Sequence, residues 1–164
     1  MAETLLTEEM EAWARRPTQP RDVTIDRKDI QRFAIATRET DPVHFDLDAA
    51  RAAGHRDVVA PPLFYVTLRT GVYNLVPQDE LHEEGTPIRD LPPIEFSQAM
   101  AGATSVTLHM PFVAGDEVVC TRRTLDMYEK VGRSGPLAFV QFEYRYADTE
   151  DRPFAVELFT RIYR

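Results

Sequence analysis

Glu39-Thr40-Asp41-Pro42-Val43-His44 places two carboxyl groups and an imidazole within six residues, with a proline to stiffen the turn between them. A carboxylate and a histidine held on one short turn can share a water molecule and pass its proton. That is the minimum equipment for adding water to a carbon–carbon double bond, or for removing it. Each group also has a plainer use. Glu39 follows Arg38 and could form a local ion pair, Asp41 could close an Asx-type turn ahead of Pro42, and His44 could cap or line an acidic loop.

The flanking segments decide how such a turn would be held. Asp26 is a helix N-cap with Asp29 three residues on, and Ile30, Phe33, Ala34 and Thr37 recur at helical spacing as its buried face. Asp46 caps a short alanine-rich helix that Gly54 stops. Pro61-Pro62 opens a segment over 61–74 that is apolar or small almost all round, the pattern of a helix buried on every side. Upstream, Thr7 caps a short acidic helix that offers Met10 and Trp13 to a core, and 21–25 reads as a brief strand. Residues 76–93 read as an irregular loop.

From residue 94 the periodicity changes to two. Strands are expected at 94–96, 105–113, 117–130, 137–147 and 154–163, with turns at 101–102, 114–116, 132–136 and 148–151. Long strands with short turns imply an antiparallel meander, and the single apolar helix upstream is the natural body for it to wrap. Phe139, Phe142, Tyr144 and Tyr146 form an aromatic stripe suited to a core or a tunnel wall.

Composition excludes several classes. The 164 residues suit one domain, and a net charge of −8 without a basic stripe argues against nucleic acid as a partner. One cysteine, Cys120, excludes an intrachain disulfide and a thiolate metal cluster, and it reads as a small core residue. The four histidines have no metal-ligand spacing, so no metal site is expected. There is no apolar run of membrane-spanning length and no signal-peptide core, so a cytoplasmic protein with no membrane partner is expected.

The turn at 39–44, the alanine-rich helix to Gly54, Val58-Val59-Ala60-Pro61-Pro62 and Tyr128-Glu129-Lys130-Val131-Gly132-Arg133-Ser134-Gly135-Pro136 together resemble the MaoC-like hydratase and dehydratase family of the hot-dog fold. The Ala-Pro-Pro and the later segment resemble the branch named after the dehydratase region of fatty acid synthase. The resemblance implies an α+β hot-dog domain over 21–164, five or six antiparallel strands around a central helix, preceded by an N-terminal helical extension over 1–20. It implies enoyl-thioester hydratase or 3-hydroxyacyl-thioester dehydratase activity on acyl groups of coenzyme A or acyl carrier protein.

Glu39 and His44 match the family's catalytic Asp and His, with Asp41-Pro42 in place of Asn-Pro. One group would take the proton of water as hydroxyl adds at the β-carbon, and the other would supply a proton to the α-carbon, giving syn addition. Asp41, Leu63 and Phe64 would contact the substrate. Pro61 and Pro62 have no N–H where the family begins its helix with His-Gly, so Leu63 N–H is the first amide able to stabilise enolate charge. No cofactor is implied, because the thioester itself activates the α-proton. The expected partner is a second copy or a second hot-dog chain. Two other readings stay open: a non-catalytic acyl-binding subunit of a heteromeric dehydratase, which Pro61-Pro62 favours, and a hot-dog thioesterase. The absence of Asp and Glu from 61–74 counts against the latter.

Overall fold

The computed structural model describes residues 4–69, 76–83, 85–96, 98–133 and 135–164. Among the described residues four α-helices precede most of the sheet: α1 (Glu8–Ala14), α2 (Arg27–Thr37), α3 (Leu47–Ala52) and α4 (Tyr65–Arg69). The strands are β1 (Arg21–Thr24), β2 (Ala99–Leu108), β3 (Glu117–Gly132), β4 (Gly135–Ala147) and β5 (Pro153–Tyr163). They form one antiparallel sheet in the order β1-β3-β4-β5-β2. Only β3-β4-β5 is a meander. The two strands that come first in the chain take the two edges.

The helix starts follow side-chain chemistry. Thr7, Asp26 and Asp46 each have extended backbone and accept an amide of the first turn, from Met10, Lys28 and Ala49 respectively. Met10 and Trp13 of α1 are buried against Ala138, Val140, Phe142, Phe159 and Tyr163 of the sheet. A second cluster joins Ile30 of α2, Phe64, Tyr65 and Leu68 of the central segment, and Phe112, Val118, Tyr146 and Phe154. Tyr144 touches both clusters, so α1 and α4 rest on neighbouring parts of one sheet face.

Several expectations need correction. Residues 94–96 are not a strand, and β2 begins at Ala99 and ends at Leu108 rather than spanning 105–113. Ala101-Gly102 is not a turn but the site of a bulge inside β2, where the register against β5 shifts between Ala101 and Thr104. A Cβ on Gly102 would stand 3.0 Å from the Thr160 carbonyl oxygen, so glycine is needed for the close approach of the two backbones. The aromatic stripe splits. Phe142, Tyr144 and Tyr146 share the core face, whereas Phe139, of opposite parity, stacks on Tyr128 at 4.7 Å. Thr37 of α2 is exposed and bonds back to the Phe33 and Ala34 carbonyls. Of the helix expected over 61–74, a 3-10 turn (Pro62–Phe64) and α4 are present, and 70–74 lies outside the described residues.

α2 stops by a left-handed residue. Arg38 has φ 61°, its N–H bonds to the Ile35 carbonyl, and Glu39 N–H bonds to the Ala34 carbonyl at 2.9 Å. An L-residue pays strain in this conformation. Arg38→Gly is therefore expected to raise stability by about 0.5–1 kcal/mol, read as a higher urea midpoint. An unchanged or lower midpoint would count against strain at this position.

Candidate active site at the His44 turn

The His44 turn is built almost wholly from its own polar groups. Asp41 Oδ1 accepts the Val43 amide at 3.0 Å, which closes an Asx-type turn and starts the 3-10 turn Pro42–His44. Phe45 N–H and Asp46 N–H both bond to the Pro42 carbonyl, and Asp46 then caps α3. Gln31 of α2 donates its side-chain amide to the Phe45 carbonyl at 3.1 Å, fixing the turn to the preceding helix.

Val59 holds the imidazole. Its N–H bonds to the Val43 carbonyl at 3.0 Å, and its own carbonyl oxygen lies 2.7 Å from His44 Nδ1. A carbonyl only accepts, so Nδ1 carries the proton and the neutral ring keeps its lone pair on Nε2. His44 is 7% exposed, and Nε2 has no hydrogen-bond partner among the described residues. Buried polar atoms are normally satisfied, so an open nitrogen here marks a position for water or a ligand.

Val59 is itself pinned. It forms a bridge with Val113, the next amide, Ala60 N–H, bonds to the Phe112 carbonyl, and Asp57 makes a two-point ion pair with Arg27 at 2.9 and 2.6 Å. The hydrogen bonds from Arg27 and from the Val58 amide hold the Asp57 carboxyl below its ordinary value, against the opposing effect of burial. A depressed carboxylate contributes stability that is present above its unfolded value of 3.8 and is lost as pH falls through the lower folded value. The urea midpoint should therefore fall more steeply below pH 4 in the wild type than in Arg27→Gln. Parallel acid limbs would remove this pair from the account.

The other expected site residues are not drawn in equally. Glu39 sits on the turn after α2, exposed, and its carboxylate makes no hydrogen bond or ion pair to any described residue, and none to His44. Its expected partner Arg38 is therefore not used. Asp41 is spent on its turn. Leu63 is 57% exposed, and its N–H has no backbone partner among the described residues, whereas Phe64 N–H is taken by the Pro61 carbonyl. The Phe64 ring is fully buried, packed edge-on to Phe33 and tilted against Phe112, and offers no face to a ligand in this chain. The residue that sequence reasoning missed is Val59, whose contribution is a backbone carbonyl and carries no side-chain signal.

Residues 12–157 match the family model described as FAS1-like, dehydratase domain region, and the chain belongs to that family. The five-stranded antiparallel sheet with its few helices matches the hot-dog fold of MaoC-like dehydratases. Among curated relatives, the UPF0336 protein Franean1_6066 of Parafrankia sp. is 40% identical over 110 residues, 67% of this chain. The chain covers 66% of that relative's length, just under two thirds. Among solved structures, the ChsH1–ChsH2 complex from Mycobacterium tuberculosis aligns with TM-score 0.71 at 19% identity, over 94% of this chain and 88% of that one. The truncated HadBC (3R-hydroxyacyl-ACP dehydratase) complex of the same organism aligns with TM-score 0.67 at 19% identity, over 90% and 96%. Both are complexes of two different subunits by name. Among the described residues no helix is long and apolar enough to cross a membrane.

Proposed function

We propose that this chain acts in the reversible hydration of enoyl thioesters, or the dehydration of 3-hydroxyacyl thioesters, with His44 as its base. The observation that carries the reading is the buried imidazole whose Nδ1 is bound to the Val59 carbonyl while Nε2 stays open. In hydration, the water oxygen bonds to the β-carbon as its proton passes to Nε2, and the carbon–carbon π pair shifts toward the thioester carbonyl as an enolate. The Glu39 carboxyl gives a proton to the α-carbon on the same face, and the imidazolium returns a proton to the carboxylate. Leu63 N–H is the free backbone donor for the enolate oxygen. The acyl carrier is coenzyme A or acyl carrier protein.

One observation favours a second reading. Glu39 is open to solvent in a single chain, and the central segment begins with two residues that lack N–H. A second hot-dog chain, identical or different, would have to close over the turn. If that partner brought its own acid–base pair, this chain would be the acyl-binding half. The test is hydration of trans-2-butenoyl-, octenoyl- and decenoyl-CoA, followed by loss of enoyl absorbance. Turnover by the purified chain that vanishes in Glu39→Gln supports the first reading. Turnover that appears only with an added hot-dog subunit, and survives Glu39→Gln, supports the second. None under either condition overturns both for these substrates.

A further inference from the structure

A cavity of about 810 Å³ lies between α1, the end of α4 and the sheet, and no residue from 22 to 68 lines it, so it is apart from the His44 turn. Its volume is that of a small-molecule site. Its charge is opposite to that of the chain. Arg16, Arg21, Arg69, Arg89, Arg122 and Arg161 line it, and Asp90 is the single carboxylate among the described lining residues, in a protein of net charge −8.

Three of these guanidinium groups are held on aromatic rings. Arg69 lies 4.1 Å from the Phe159 centroid, Arg122 5.1 Å from Phe142 and Arg161 5.6 Å from Tyr163. A guanidinium stacked by its face keeps its in-plane N–H donors directed outward and loses little freedom on binding, the arrangement suited to a carboxylate. The sheet register adds a second argument. Arg21 of β1 pairs with Cys120 of β3, so Arg122 is its diagonal neighbour on the same face, and both side chains enter the cavity.

Like charges at that spacing repel, and neither is firmly neutralised. Arg21 reaches the Leu68 carbonyl at 3.0 Å, and Arg122 reaches Asp90 only at 3.4 Å. Arg69, by contrast, is fully paired with Glu157 at 2.6 Å. Trp13 lines the cavity with these two arginines, and the Phe142 ring lies under the Arg122 guanidinium.

We infer that this cavity binds a small amphipathic carboxylate, its acid group between Arg21 and Arg122 and its apolar body along Trp13. Trp13 is the chain's one tryptophan, so the site carries its own reporter. The test is titration of the full chain with decanoate and with 4-phenylbutyrate below micelle-forming concentrations, read by Trp13 fluorescence. Decanamide, 4-phenylbutyramide and inorganic phosphate are the controls. A saturable change is expected with the acids and not with the amides or phosphate, weakened at least tenfold in Arg122→Gln. Arg21→Gln, at the sheet edge, serves if Arg122→Gln does not fold. Equal responses to acid and amide, a response to phosphate alone, or no response to either acid would overturn the inference. The acid could be a free molecule or the far end of an acyl thioester. If decanoate competes with enoyl-CoA in hydration, the cavity holds the acyl end, and if it binds without competing, the ligand is a separate molecule.

Discussion

His44→Ala is expected to lower the proposed enoyl-thioester hydration by at least ~100-fold, because it removes the proposed base. Alanine also leaves the Val59 carbonyl, now 2.7 Å from Nδ1, without its donor in a buried place. That alone costs about 1–3 kcal/mol of stability, so a loss of activity in His44→Ala could reflect a loosened turn. His44→Asn separates the two effects. Its amide N–H can still donate to Val59, while its other end has no basic lone pair. The base reading requires that Asn be nearly as inactive as Ala while its thermal midpoint stays nearer to that of the wild type. A fall of less than threefold in either variant, with the fold intact, removes His44 from the chemistry. Recovery of most activity in His44→Asn would make it a positioning residue only.

The parts of this molecule written in local patterns were legible before the structure. β3, β4 and β5 begin and end within two residues of the alternation that announces them, because each has one face in the core. The caps Thr7, Asp26 and Asp46 act where their types and spacing place them. β2 was half hidden for the opposite reason. Most of its residues are exposed, so there is no buried face to impose a period, and its glycine mimics a turn. At the His44 turn, the side chains were legible and the partner was not, since Val59 acts through a carbonyl that any residue would supply. The arginines of the cavity come from five separate stretches of chain, three of them on strands, and only the tertiary fold assembles them.

The pair Arg69–Glu157, 88 residues apart in sequence, was equally invisible and carries the largest expected effect on stability. Glu157 is 0% exposed and accepts from Arg69 at 2.6 Å and from the Tyr146 hydroxyl at 3.1 Å. Glu157→Ala leaves a largely buried guanidinium and a buried phenol without their acceptor. A loss of about 3–5 kcal/mol is expected from the urea midpoint.

The charge itself is a cost that the partners offset. Burial pushes the Glu157 carboxyl up, against the pull of Arg69 and the Tyr146 hydrogen bond. The folded state then holds the proton more tightly than the unfolded chain does. The group's contribution is therefore greatest below its unfolded value of 4.5 and declines as pH rises through the higher folded value. Glu157→Gln should flatten that part of the pH profile while losing less stability than Glu157→Ala. Replacing both members with leucine removes the charges together, and the double variant should lose less than Glu157→Ala, its remaining deficit of about 1–3 kcal/mol being the Tyr146 hydroxyl left without an acceptor. A Glu157→Ala variant within 1 kcal/mol of wild type would mean that Arg69 finds water or another acceptor through the cavity it lines. In that case the helix end is held by packing of Leu68 and Tyr65 and by the Arg21 hydrogen bond to the Leu68 carbonyl.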